Sequence, residues 1–291
     1  MAFESELGNF ITIGNAVSAE ASAALVNAAQ GLALVHAEAF PDNTNVIKFR
    51  KSGSLVAEAI AESAAYTYSA NSELTDASIS CTGTKKMVSS RVSVEALRFG
   101  SPGSDLQRIG QEQGNALARL FDADLKALFA SVSGGVTAAS TLVKDNLLDA
   151  QYTVFAGIKG AFSGRLVGMV DYKGAGEIRK ELTSITATAF GNLAMLGVIG
   201  VPKGPAGFIG EFAGIELYQT DGLPSSGGDD VALVWDPRIA FCAGINGIQG
   251  LATTVLEPSV LTNMCWEFTT HTFWNVAEWN DAAGCKVLSD T

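Results

Sequence analysis

Histidine is nearly absent from this 291-residue chain, which holds only His36 and His271. That scarcity removes the usual proton-transfer group near neutral pH and argues against acid–base catalysis. Neither histidine has a ligand cluster beside it, and a zinc site needs three or four suitably spaced Cys, His or carboxylate ligands. No metal and no other cofactor is expected. The four cysteines (Cys81, Cys242, Cys265, Cys285) are scattered, without a CxxC pair. They read as reduced thiols of a protein made in the cytoplasm. Basic residues are also scarce, 19 Lys and Arg against 30 acids, for a net charge of −11. This excludes a nucleic-acid binder, because phosphate binding gains its free energy when Lys and Arg release counterions. The longest basic block is Lys48-Phe49-Arg50-Lys51, too little for an anionic membrane surface. No apolar run approaches the roughly 18 residues of a membrane span. The opening MAFESELGNF lacks the positive region and apolar stretch of a secretory signal.

Catalytic signatures are missing in the same way. There is no GxxxxGK[ST] phosphate loop, and Gly174-x-Gly176 lacks the third glycine and the strand–turn–helix setting. GAFSG at 160–164 is one residue off a nucleophile elbow. Asp122 and Asp124 stand two apart on a predicted helix and face different ways, so they make no acid–base pair. Asp229-Asp230 beside a glycine turn reads as a solvated loop. With no site to run chemistry, the chain is not read as an enzyme.

What is present is organisation. At 47% hydrophobic, the chain is long enough to bury a sizeable core in one large domain or two modest ones. Residues 18–38 are alanine-rich and suit a helix, ended by Pro41 and the PDNTN cluster. A short strand, 46–49, follows. Then residues 50–84 hold 18 Ser, Ala or Thr in 35 positions. Such a stretch cannot bury enough apolar area to offset an ordering cost of about 1–2 kcal/mol per residue. It must be disordered, lie along its own body, or be ordered by another molecule. It lacks the proline and charge of most linkers, and Tyr66-Thr67-Tyr68 alternates as an extended hairpin would. The preferred reading is an arm that reaches out of the subunit.

The return leg is KKMVSSRVSVEAL, with Val88, Ser90, Val92 and Val94 on one face and Met87, Ser89, Arg91, Ser93 and Glu95 on the other. GSPGSD at 100–105 offers turn residues and an N-cap in Ser104 or Asp105. A long helix runs from there to Ser131, its apolar stripe made of Leu106, Ile109, Leu117, Leu120, Leu128 and Phe129. Further helices are predicted over 146–159 and 173–184. Strands are predicted over 165–171, within 208–224 and 229–244, and in a two-residue period through Met264, Trp266, Phe268, Thr270 and Thr272. The fold class is α+β with segregated elements, not a repeating βαβ chain.

Charge falls in blocks. Residues 52–84 carry Glu58, Glu62, Glu73 and Asp76 with no base. Residues 85–119 carry Lys85, Lys86, Arg91, Arg98, Arg108 and Arg119 against three acids. A bland cause is chance plus a solvated face. The sharper reading docks the acidic arm on the basic strand and helix of a neighbouring copy, giving register to an assembly.

In order and spacing, nearly the whole chain resembles the major capsid proteins of tailed double-stranded DNA bacteriophages, the Hong Kong ninety-seven coat fold. FPDNTNVIKF looks like the strand opening that family's extended loop, and AEAIAES…TGTKKMVSSRVSVEAL like the loop and its return. SDLQRIGQEQGNALARLFDADLKALFA looks like its spine helix, GFIGEFAGIELYQTDGLP like an axial-domain strand pair, and NVAEWNDAAGCKVL like its closing segment. The resemblance implies an N-terminal arm and helix over 1–45, an extended loop over 46–94, a peripheral domain from 95–135 and 252–291, and an axial domain over 136–251. It implies a structural subunit that assembles in the host cytoplasm into pentamers and hexamers. These close an icosahedral virion capsid around packaged DNA without reading its sequence. A portal and a separate scaffolding protein are the implied partners, with room for a decoration protein. Some relatives crosslink through a lysine–asparagine isopeptide bond. Lys85 and Lys86 sit at the loop's return, but no glutamate–asparagine partnership is identifiable. Two other readings stand beside this one: an encapsulin-like bacterial compartment shell, and a soluble homo-oligomeric enzyme.

Overall fold

Small residues decide how the first two helices meet. The computed structural model describes residues 2–41, 44–50, 78–95, 102–137, 141–158, 162–184, 207–226, 229–246, 252–256 and 264–290. Helix α1 spans Ala2–Ala28, earlier at both ends than the expected 18–38. What cuts it short is tertiary. A 3-10 turn, Gly31–Leu34, takes over, its first N–H groups donating to the Asp122 carboxylate (Gly31 N to Oδ1, 2.8 Å; Gln30 N to Oδ2, 3.2 Å). Strand β1, His36–Ala39, follows at once; a waiting strand partner overrides alanine's helix propensity.

Helix α2, Pro102–Ala127, is the long strut the sequence predicts, roughly 39 Å at 1.5 Å per residue. Asp105 in its first turn and Lys126 in its last complement the helix dipole. Its buried stripe is Ile109, Leu117, Phe121 and Leu125. Leu120, expected in that stripe, is 37% exposed, because a spacing of four from Leu117 selects Phe121 instead. Helix α1 lies against α2 at backbone range. A Cβ on Gly110 would stand 2.8 Å from the Val17 carbonyl oxygen, and one on Gly114 would run into that of Ala21.

Among the described residues, the strands fall into two large sheets and one small one. Strands β2, Val46–Arg50, and β3, Ser78–Thr82, pair antiparallel, Arg50 opposite Ser78 and Val46 opposite Thr82. The predicted return leg follows as β4, Thr84–Ser93, and it pairs with β13 in the body. Its alternation is as read, Val88, Ser90 and Val92 turned inward and Met87, Ser89 and Arg91 exposed. After α2 come a 3-10 turn at Phe129–Ser131, strand β5 (Gly135–Thr137), helix α3 (Lys144–Ile158), β6 (Leu166–Val170) and helix α4 (Tyr172–Ser184). Then follow β7 (Phe208–Phe212), β8 (Ile215–Gln219), β9 (Ser225–Ser226), β10 (Asp229–Trp235), β11 (Phe241–Ile245), β12 (Ala252–Leu256), β13 (Cys265–Glu278) and β14 (Gly284–Asp290). Asp229-Asp230 therefore opens a paired strand, not a solvated loop.

Strand β13 carries the five-stranded sheet. Its first ten residues pair with β4 on one edge, while β12 and then β11 pair on the other, and β1 closes the sheet parallel to β11. The seven-stranded sheet runs β5-β14-β10-β6-β8-β7, with β9 on β10. Every residue of β6 is buried, as a strand covered on both faces should be. The chain's consecutive strands β10 and β11 belong to different sheets, and Trp235 sits where the two meet. Its ring packs on Phe129 and Phe241 (5.3 and 6.0 Å) and its indole N–H donates to the Leu34 carbonyl (3.0 Å). A main core spans the two sheets, with smaller clusters beside it.

Candidate functional site

The paired strands β2 and β3 form the root of the predicted arm. Ile47 and Phe49 point inward from β2, and Cys81 from β3, while Val46, Lys48 and Arg50 are exposed. They meet Cys242 of β11 in a small core of their own, bordered by Phe40, Ala277 and Trp279. Trp279 stacks on His36 (5.2 Å), touches Phe49 (5.9 Å), and donates its indole N–H to the Arg50 carbonyl (3.2 Å). Gly83 N donates to the Asn45 carbonyl (2.6 Å), and Asn45 Nδ2 to that of Gly83 (3.2 Å), fixing the inner end. Positions 50 and 78 are thus held side by side. The acidic candidates Glu58, Glu62, Glu73 and Asp76 lie between them in sequence, outside the described residues; Arg98, after β4, is outside the described residues as well.

The remaining basic candidates do not form one cluster. Lys86 turns inward and bridges sheet to strut: its Nζ lies 2.9 Å from Asp124 Oδ2 and 5.8 Å from the centre of the Trp274 ring, whose N–H donates to the same carboxylate (2.8 Å). Lys85 and Arg91 stand on the outer face of β4 with Met87, which is 57% exposed. Arg91 meets Glu267 across the strand pair at 3.2 Å, and Arg108 meets Glu112 one turn along α2 at 2.9 Å. Both arginines are more than half exposed, where solvent screening leaves such pairs weak. Lys85 also acts at short range: burial first, then this charge, hold His271 below its usual range.

Two features escaped the sequence reading. Tyr152, 75% exposed, and Phe155 stand three apart on the outward side of α3, with Phe162 edge-on to Phe155 at 4.9 Å. The opposite side of the helix buries Leu147, Ala150, Val154 and Ile158. Two aromatics set off the apolar stripe of one short helix were the available signal; exposed apolar groups that gather suit an interaction surface. The second is Arg165, whose guanidinium grips the Glu216 carboxylate through Nε (3.1 Å to both oxygens) and Nη2 (2.7 Å), with the Tyr218 hydroxyl donating to it as well. The guanidinium holds the Glu216 carboxyl below its usual range.

Several residues that could suggest chemistry have structural partners instead. Ser163 donates through both N (2.8 Å) and Oγ (2.6 Å) to the buried carboxylate of Asp236, which also accepts from Arg238 N (3.0 Å). Asp122, raised by burial, caps the turn at Gly31. Among the described residues, no three His, Cys, Asp or Glu gather where a metal could sit, and no helix is long and apolar enough to cross a membrane. A cavity of about 340 Å³ between α1 and α2 is lined by Glu20, Asn27, Gln111 and Asn115 among alanines. It holds no pairing of nucleophile and base.

No protein-family model matches this sequence, and no curated protein does. Solved structures match over nearly the whole chain. The capsid of cyanophage P-SCSP1u is similar at 13% identity and a TM-score of 0.62, covering 89% of this chain and 87% of that one. The capsid of Ralstonia phage GP4 gives 9% identity and 0.65, covering 89% and 87%. A virus-like particle from Pyrococcus furiosus gives 8% and 0.59, covering 94% and 98%. At these identities the shared property is the fold. The chain has the phage coat fold, mixed helix and strand.

Proposed function

We propose that this chain, built on the phage coat fold, is a structural shell subunit of a tailed bacteriophage. It self-assembles into pentamers and hexamers that enclose double-stranded DNA in an icosahedral virion capsid. One observation carries the reading: a two-stranded root with its own small core holds the two ends of a serine- and alanine-rich segment side by side, and that segment's composition lacks the apolar area to order itself. A neighbouring copy supplies what it lacks. The likeness to assembled capsids over about nine-tenths of the chain supports the same conclusion.

The domain division follows from it: an arm and helix over 1–45, an extended loop over 46–94, a peripheral domain from 95–135 and 252–291 around strut α2, and an axial domain over 136–251. The acidic loop residues Glu58, Glu62, Glu73 and Asp76 dock on the neighbour's exposed bases Lys85, Arg91 and Arg108, trading weak intrachain pairs for intermolecular ones. Lys86, committed to Asp124, serves inside the subunit. The role is structural and non-enzymatic. A net charge of −11 leaves packaged DNA free of the inner wall. Assembly takes place in the host cytoplasm, with a portal and a separate scaffolding protein as partners.

Electron microscopy of the purified recombinant chain tests this directly. Closed shells or separate capsomers are expected; a small discrete oligomer with no shell lattice would overturn it. An encapsulin-like compartment is the second reading, less supported because the structures matched are phage capsids, with a virus-like particle from Pyrococcus furiosus beside them. The contents of purified particles separate the two: nucleic acid in a virion, a protein cargo in a compartment.

A further inference from the structure

The small core at the hairpin root holds two thiols in contact. Cys81 on β3 and Cys242 on β11 are 161 positions apart in sequence, yet their sulfurs lie 3.8 Å apart, and both residues are fully buried. None of the four cysteines is in a disulfide. The two strands are not ladder partners: β3 pairs with β2, while β11 pairs with β1 and β13. The hairpin root is therefore held to the five-stranded sheet at this point by side-chain packing. A bond between the sulfurs would be a covalent tie across that seam, closing the remaining gap to about 2.05 Å.

We propose that Cys81 and Cys242 form an oxidisable pair, which a small peroxide converts to an intrachain disulfide locking the root of the hairpin to the sheet. The pair is chemically asymmetric. The hydrogen bond from Cys242 lowers the Cys81 thiol, while the same contact and then burial push Cys242 up. Cys81 is accordingly the nucleophile, and the thiolate is the reactive form. Its sulfur attacks one peroxide oxygen, an S–O bond forms, the O–O bond breaks, and the departing hydroxide takes up the Cys81 proton as water. The sulfenic acid so formed is then attacked by the Cys242 sulfur. An S–S bond forms, the S–O bond breaks, and hydroxide leaves with the Cys242 proton as a second water. Two electrons pass from the thiols to the peroxide. The site is buried, but it belongs to a satellite core of few side chains, the kind of region that opens locally before the whole molecule does. The inference needs only the fold and stands apart from the shell reading.

The test uses the full chain as purified, treated with hydrogen peroxide and then alkylated under denaturing conditions without reduction. Mass spectrometry should find alkylation falling from four thiols to two and a peptide pair joining Cys81 to Cys242, both reversed by dithiothreitol. Cys81→Ala and Cys242→Ala should abolish the pair, and Cys265→Ser should leave it intact. Because the alanine changes fall in a buried core, the deciding measurement is on the natural chain. Amide exchange over 78–82 should slow about tenfold or more on oxidation and recover on reduction. Four thiols still alkylated, sulfinic acid on Cys81 with Cys242 free, disulfides joining separate chains, or unchanged exchange over 78–82 would each overturn the proposal.

Discussion

Gln113 shows how a single polar side chain can join helix to sheet. Buried in α2, it donates from Nε2 to Ser90 Oγ (2.7 Å) and to the Phe268 carbonyl (2.8 Å), and accepts from Thr270 Oγ1 (2.5 Å). Thr270 in turn shares a hydrogen bond with Thr253 of β12 (2.7 Å). Gln113→Ala should lower stability by about 2–3 kcal/mol, because buried partners lose their bonds without gaining water; urea denaturation reads this. Glu216 gives a pH signature. Its folded carboxyl lies below the usual 4.5 because Arg165 hydrogen-bonds the charged form, so it stabilises the fold above that range. The contribution fades as pH falls through the folded value. The stability gap between the natural chain and Glu216→Gln should thus narrow on acidification below 4.5, followed by thermal melts at stepped pH. Asp122, raised by burial, works the other way, favouring the fold while protonated. None of these partnerships was legible in sequence. Gln113 and its partners on β4 and β13 are remote in the chain, and no periodicity announces a hydrogen bond between an amide and two hydroxyl side chains.

Among the elements, length and period were the readable quantities. The strut α2, the alternation of β4 and the two-residue period of β13 were all legible, because each is long and buries one face. What failed was pairing. Alanine content placed α1 over 18–38, and only the presence of β11 explains why His36–Ala39 is extended. Short, polar β3 gave no signal of its own in the sequence, yet it is the partner of β2. Packing between helices gives the prediction at this scale. Gly114→Ala adds helix propensity worth about 1 kcal/mol. It also forces a methyl into the Ala21 backbone, and overpacking costs typically 1–3 kcal/mol. The net change should be a loss. Gly176→Ala in α4, where nothing lies within 4 Å, should gain about 1 kcal/mol. Chemical denaturation of the two variants should therefore move the midpoint in opposite directions.

For the molecule as a whole, the acidic segment was the most informative stretch because its composition pointed beyond one copy. Its composition set a deficit of apolar area, and the fold holds its two ends side by side at the root. The candidate surface was only half legible. Lys85, Arg91 and Arg108 are exposed, whereas Lys86 turns inward to Asp124, a direction that the strand's alternation already implied. The aromatic patch at Tyr152 and Phe155 carries no charge and so escaped a reading based on charge blocks. Reversing Glu58 and Glu62 to lysine should abolish particle formation in sedimentation while leaving far-UV circular dichroism unchanged; particles of normal size would refute the docking scheme.

The antiparallel root has one more implication, for grafting. Arg50 and Ser78 face each other across a ladder anchored by Trp279, so whatever peptide is spliced between them departs and comes home at neighbouring points. A foreign sequence inserted there would hang from a fixed hinge, making this seam a natural place to present an epitope.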